Sequence, residues 1–404
     1  VSQLLHPLRH GDFRRLVGGR SLNHFANAMA PIVLSFAVLD LTGSVVDLGL
    51  VVGARSVANV VVLLFGGVLA DRLPRRLILQ GTSAAAAVVQ AVIAAAVLLG
   101  FASIAVLVVL SVANGVVAAA SLPAVAALIP QTVPPDEIRP ANAVARVGVN
   151  LGLVTGASTA GLLVGFSGPG WGIAVNALLF AGSALCYLGI TVGGTARPPE
   201  QRTHPLTDLL EGWAEFVSRT WVWVVVVQFL VVNAAVAGGL HVLGPTIADR
   251  TFGRTTWGLL LAAQTAGALL GALIAARTRV RHPLRLGVAV TAVEAVPLLA
   301  LAGTSNPVPL VCAMVANGIA LEQFAVAWDV SLQENVPADK LARVYSCDAM
   351  GSFIAIPLGE MAAGPISTRL GTAPTLVAGA ALVVAATAAT LLSKDVRGLR
   401  AGGS

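Results

Sequence analysis

Charge is scarce in this sequence. Asp, Glu, Lys and Arg make up 11% of its 404 residues, against 56% hydrophobic. A chain so poor in charge cannot cover a water-facing surface, which excludes an ordinary soluble domain. Cysteine is rarer still. Cys186, Cys312 and Cys347 stand far apart in apolar segments, which excludes a disulfide framework or a zinc site and makes them small buried hydrophobes. No His or Cys cluster has metal spacing, and no G-x-x-x-x-G-K-[ST] run is present. Neither an enzyme, a cofactor nor ATP hydrolysis is expected. Aromatic residues are only 5%, so stacking of a planar ligand is not indicated; Trp221, Trp223, Trp257 and Trp328 are the notable rings. The roughly ten-residue alternation of a transmembrane barrel is absent. Arg9, Arg14 and Arg15 precede the first apolar run without an early cleavage site, so no cleavable signal is expected.

What the sequence has in abundance is apolar runs of membrane length. At about 20 residues per span, twelve helices are expected, at 15–41, 46–70, 77–99, 103–128, 142–166, 171–193, 220–247, 256–276, 285–302, 307–332, 343–367 and 372–392. With the N-terminus in the cytosol, all Arg and Lys except Arg55, Arg250, Arg254 and Arg369 fall in cytosolic segments or near cytosolic helix ends. That bias places both termini inside. The formal charge of +6 is thus a topology signal and does not indicate nucleic-acid binding. High Ala, Gly and Val and the use of Arg over Lys hint at a GC-rich bacterial source. The longest polar stretch holds Arg197-Pro198-Pro199-Glu200 and an amphipathic run from Leu206 to Val217. It divides the chain into six helices (1–193), a linker lying along the membrane surface (194–219) and six more helices (220–404).

The halves are related. Val133-Pro134-Pro135-Asp136-Glu137-Ile138 recurs as Val336-Pro337-Ala338-Asp339-Lys340-Leu341, each copy after a glutamine (Gln131, Gln333) and before a helix. Between helices 2 and 3 lies Gly66-Gly67-Val68-Leu69-Ala70-Asp71-Arg72-Leu73-Pro74-Arg75-Arg76, a tight turn with one acid and three arginines. A decayed copy starts at Gly271, with Ala275 where the acid would be. This turn resembles the loop between helices 2 and 3 of the major facilitator superfamily, with Pro74 in place of the usual glycine. Parallel duplication of a six-helix unit also fits that superfamily. Phe13-Arg14-Arg15-Leu16, Leu41-Thr42-Gly43-Ser44, Leu122-Pro123-Ala124 and the run Pro134 to Asn142 are similar to its third drug:proton antiporter subfamily, whose members include macrolide and multidrug effluxers and the enterobactin exporter.

The resemblance implies an all-α membrane protein of two pseudo-symmetric six-helix bundles, acting as a monomer in the bacterial cytoplasmic membrane. It implies a conformational gate at Gly67, Asp71, Arg72, Arg75 and Arg76, with Asp71 facing the N-terminus of helix 11 near Leu341 to Ser346. It also implies a cavity lined by helices 1, 4, 7 and 10. At about 1.5 Å per residue, Asn27, Asn114, Asn233 and Glu322 fall near the bilayer midplane. Asn23 lies one turn below Asn27, His241 sits in the outer part of helix 7, and Asp329 and Gln333 continue the stripe of Glu322 on helix 10.

Ionisable residues inside a membrane are functional hypotheses by default. Glu322 is the first choice for proton coupling, against a packing role at even odds. Asp348, Glu360 and Glu294 are the other candidates. Asp348 is expected to contact Arg343 or Arg146, and Glu294 must face inward. His241 is expected to be a satisfied core histidine. Arg55 is expected to snorkel or to pair with an acid, Asp40 and Asp47 being candidate partners. Two positions depart from related antiporters: Ser111 stands where helix 4 often has arginine, and Ala157 where helix 5 has proline. Glycines for close packing remain at Gly152, Gly156 and Gly161. The expected function is alternating-access export of amphipathic, drug-like small molecules by proton antiport, with substrate, protons and lipids as partners. The alternatives are a dedicated exporter of a siderophore or other metabolite, a lipid translocator, or a non-transporting membrane sensor.

Overall fold

A computed structural model describes residues 6–65, 75–121, 128–191, 216–277 and 280–399. The described residues contain helices and no strands. The first six long helices are α1 (Gly11–Thr42), α2 (Val45–Phe65), α3 (Arg75–Leu98), α4 (Ile104–Ser121), α5 (Ile138–Ser167) and α6 (Pro169–Leu188). The next six are α7 (Thr220–Arg250), α8 (Arg254–Arg277), α9 (Pro283–Gly303), α10 (Pro307–Asn335), α11 (Ala338–Phe353 with Ile356–Leu370) and α12 (Thr372–Leu392). Among the described residues, eleven candidate spans are long and apolar enough to cross a membrane. The remaining one, α4, is apolar over the shorter stretch Ile104–Ala119, and residues 122–127 of the expected span lie outside the described residues. The linker's run from Leu206 lies outside them as far as residue 215.

Helix ends follow local chemistry. Gly43 closes α1 in the left-handed region, φ 65, and its N–H returns to Leu39 O at 2.8 Å. Inside the spans, three helices depart from the regular course that their apolar runs predict. α7 passes through a π-helical segment, Ala237–Leu243; α9 through a 3-10 turn, Thr291–Glu294; and α11 breaks at residues 354–355. A proline follows each departure closely: Pro245, Pro297 and Pro357. Each lacks the N–H owed to the carbonyl four residues earlier, so the regular ladder cannot close there.

Packing divides the chain into two compact units, Val1–Pro199 with Gly253–Ala262, and Glu200–Phe252 with Ala263–Ser404. In the first, α1 packs on α5 and α6, α3 on α6, and α2 on α4. In the second, α9 packs on α10 and α12, and α7 on α11 and α12. Each unit has an apolar core containing matched positions of the repeat. Ile129, Val133 and Ala141 belong to one core, and Leu332, Val336 and Val344 to the other. Of the cysteines, Cys347 is buried, Cys186 is half-buried and Cys312 is exposed on α10. The expectation of three buried thiols is corrected at Cys312, because an apolar span also has a lipid-facing side.

Glycine sets how closely the helices meet. A Cβ on Gly156 of α5 would lie 2.4 Å from Phe25 O on α1, and one on Gly318 of α10 would lie 1.9 Å from Gln264 O on α8. Both approaches oppose backbone, which cannot swing aside. Gly156→Ala and Gly318→Ala are each expected to cost about 1–3 kcal/mol. Gly81→Ala, at a site with nothing within 4 Å, is expected to be neutral or slightly stabilising. Thermal unfolding in detergent, followed by tryptophan fluorescence, separates the three; one common Tm would contradict the close approaches.

Candidate functional site

The second unit holds the most suggestive polar arrangement. Helices α7 and α11 touch backbone to backbone: a Cβ on Gly359 would lie 2.0 Å from Ala234 O, and one on Gly238 would lie 2.7 Å from Gly359 O. Just beyond this contact, the wide turn of the π-helical segment turns His241 towards α11, where its Nδ1 lies 2.8 Å from Glu360 Oε1. Glu360 is buried, and its other oxygen, Oε2, is also buried and has no hydrogen-bond partner. The His241 side chain is 54% exposed, so one end of the pair is accessible and the other is sealed. A carboxyl and an imidazole at this distance can share or pass a proton, since each has donor and acceptor forms. His241 is therefore not the fully enclosed core histidine that its sequence position suggests. Asn233 adds a second tie between the same helices through Nδ2 to Ser352 O at 2.8 Å.

Asp348 sits deeper along α11. Trp328 Nε1 donates to its Oδ2 at 2.8 Å and Ser352 Oγ to its Oδ1 at 3.0 Å. Trp328 of α10 faces α11 at this level, so an indole and a hydroxyl hold the carboxylate; the side chain of Arg343, one of the two expected partners, lies outside the described residues. Trp328 also stacks on Phe324, which stacks on Phe229, and it meets Trp221 edge to face. Asp329, one residue on, is exposed and accepts from Tyr345 OH at 2.9 Å.

Glu322 is half-buried and turned to α8, where a Cβ on Gly271 would lie 2.9 Å from the Glu322 Cβ. Its neighbour Gln323 donates to Gly271 O at 2.7 Å. Glu294 faces inward from the 3-10 turn of α9, with Oε1 buried and without a hydrogen-bond partner. One turn earlier, Thr291 joins Gln228 and Thr387 in a buried polar knot.

In the first unit, Asn27 Nδ2 donates to Asn23 Oδ1 at 2.8 Å, and Asn23 Nδ2 to Ser83 Oγ at 3.2 Å. Ser83 meets Ser183, which donates to Gly19 O. Both asparagines therefore belong to a hydrogen-bonded path joining α1, α3 and α6. Arg55 of α2 donates from Nε to Asn114 Oδ1 of α4 at 2.9 Å. Of its candidate acid partners, Asp40 pairs through both oxygens with Arg254.

The second unit repeats that clasp: Gln264 Nε2 of α8 reaches Asn317 Oδ1 of α10 at 2.5 Å. A Cβ on Gly115 would lie 2.2 Å from Arg55 O, just as Gly318 meets Gln264 O. The sequence carries a signal for this pair, Val112-Ala113-Asn114-Gly115 against Val315-Ala316-Asn317-Gly318, made of neutral residues that do not stand out by charge.

The structure thus joins His241 to Glu360, Asp348 to Ser352 and Trp328, and Asn23 to Asn27. Gly67, Asp71 and Arg72 of the expected gate lie outside the described residues, as do the side chains of Arg75 and Arg76. Among the described residues, no three metal-ligating side chains gather.

The fold and the sequence both have known relatives. A mutant of the nucleoside transporter NupG superposes with a TM-score of 0.78 at 15% identity, covering 94% of this chain and 99% of that one. A bacterial homologue of the human lysosomal transporter Spinster reaches 0.69 at 18% identity, covering 96% of each chain. In sequence, the uncharacterized MFS-type transporter y4rN of Sinorhizobium fredii is 27% identical over 392 residues, 93% of both chains. The enterobactin exporter EntS of Shigella dysenteriae is 28% identical over 276 residues, 65% of this chain and 63% of that protein. The Major Facilitator Superfamily model matches residues 16–360, and with that match over most of its length the chain belongs to this superfamily of membrane transporters.

Proposed function

We propose that this transporter is a secondary exporter of amphipathic small molecules, driven by proton antiport through alternating access, with both termini in the cytosol of a bacterial cell. The observation that carries the coupling is the His241–Glu360 pair: a sealed carboxyl with one unpartnered oxygen, bonded to an accessible imidazole. A buried carboxyl oxygen without a partner is costly among apolar helices, which marks Glu360 as a functional position. The imidazole is the group through which a proton reaches it. Glu322, half-buried against α8, has no such relay beside it among the described residues, and the coupling role is assigned to Glu360 in its place. Asp348 is held by Trp328 and Ser352 and is assigned to tying α10 to α11.

The test is proton movement in proteoliposomes containing a trapped pH dye, challenged with erythromycin, rhodamine 6G and fluorescein. Wild type is expected to couple at least one of these to proton flux. Glu360→Gln is expected to abolish the flux while binding persists, His241→Asn to slow it, and Glu322→Gln to retain it. Flux that survives in Glu360→Gln and is lost in Glu322→Gln would return the role to Glu322.

A second reading, export of one secreted metabolite such as a siderophore, is supported by the similarity to enterobactin exporters. It predicts that only one compound class in a siderophore-and-drug panel drives flux. Comparable flux with several unrelated drugs would discard it.

A further inference from the structure

We propose that Arg20, His24 and Arg146 form a recognition site for an anionic group, so that the transported molecule is an amphipathic anion. This rests on the export reading above and names its substrate class.

The site is a product of the α1–α5 crossing. A Cβ on Gly148 of α5 would lie 2.3 Å from Ser21 Oγ of α1, and one on Gly152 would lie 2.6 Å from Ser21 O. The two helices therefore meet closely at Ser21, next to Arg20 on one helix and within a turn of Arg146 on the other. Arg20 and Arg146 thus flank the same close crossing of α1 and α5. His24 stands one turn above Arg20 on the same face, its Nδ1 bonded to Arg20 O at 2.9 Å and its ring under the influence of the Arg20 charge. On the third side, the Tyr187 phenol of α6 lies beside Arg20, with its ring packed against Gly19.

Among the described residues no carboxylate is bonded to Arg20, His24 or Arg146, and Asp136, in the 3-10 turn before α5, is exposed. Asp12 is bonded by Thr191 and Arg15, Glu137 by His6 and His10, and Asp40 by Arg254. Asp47 begins α2, beyond the far end of α1. Arg20 is half-buried, and its Nε is enclosed without a hydrogen-bond partner. Arg146 is exposed. A half-buried cation beside a helix crossing that carries a second cation, with no described carboxylate bonded to either, is unfavourable within an apolar bundle unless an anion visits. The guanidinium fork suits a carboxylate, sulfonate or phosphate.

The site lies near the starts of α1 and α5, at one end of the unit, where a substrate would first be met rather than midway along the spans. A topology signal alone requires only that arginines be exposed at that end. It does not require one of them half-buried beside the other with an enclosed, unpartnered Nε.

The test uses two xanthene dyes of opposite charge, fluorescein as the anion and rhodamine 123 as the cation. Binding to the full chain in detergent is read by fluorescence anisotropy without any proton gradient. Wild type is expected to bind fluorescein about tenfold or more tighter than rhodamine 123, and Arg20→Gln or Arg146→Gln to weaken fluorescein about tenfold, the scale for truncating one partner of a close charge pair. Arg20→Lys is expected to keep most of the affinity, and added salt to reduce it. Because Arg146 is exposed, Arg146→Gln should fold normally even if Arg20→Gln does not, and thermal unfolding checks both. No fluorescein binding by wild type, tighter binding of rhodamine 123, or unchanged fluorescein binding in folded Arg146→Gln overturns the proposal. Because no gradient is applied, failure here leaves proton coupling standing. Conversely, loss of proton coupling with charge-selective binding intact would refute only the antiport reading.

Discussion

Helices in this protein exchange side-chain hydrogen bonds where glycine lets their backbones touch. The pattern recurs with the polar residue beside the glycine in sequence. Asn114 stands before Gly115, Asn317 before Gly318, and Glu360 after Gly359. Each glycine meets a carbonyl of the facing helix at a distance no Cβ allows. The adjacent polar residue accordingly finds a partner from that same helix: Arg55, Gln264 and His241. In hydrocarbon a polar side chain must find its partner within the protein, and long side chains bridging widely separated helices would lose more conformational freedom than short ones across a close crossing. Small residues at the crossing and polar residues beside it are two parts of one solution.

Proline supplies the second constraint. The π-helical segment of α7, the 3-10 turn of α9 and the break in α11 each stand just ahead of a proline. His241 and Glu294 lie in two of these irregular segments, and Glu360 follows Pro357 by one turn. An undisturbed α-helix repeats its side-chain directions every turn, and a lost hydrogen bond allows one residue to be re-aimed. Two of these three residues become a pair; Glu294 keeps an unpartnered oxygen in the interior.

The units share this plan but have put it to different uses. The Asn–Gly clasp is present in both, between α2 and α4 and again between α8 and α10. Bonded to the asparagine is an arginine in the first unit and a neutral glutamine in the second. Arg20 and Arg146 stand near the starts of α1 and α5, whereas buried carboxyls appear in α9 and α11. A duplicated scaffold thus separates basic from acidic chemistry, which gives the proposed anion site and the proposed proton site different halves of the sequence.

The sequence by itself determined the class and where the apolar helical segments run. Apolar length and arginine placement are properties of short stretches, and lipid leaves almost no alternative to helices for them. It also pointed to Glu360, His241, Asp348 and Asn114 as residues worth attention, because a polar group in an apolar run is conspicuous without coordinates. Which of them meet was a matter for tertiary structure alone. Asp348 meets Trp328 and Ser352, Arg55 meets Asn114, and Glu360 meets His241. Those outcomes depend on helix rotation and on a π-helical turn that shifts every later side chain on α7. A rotation of one residue, about 100°, leaves hydropathy unchanged yet changes which partners meet.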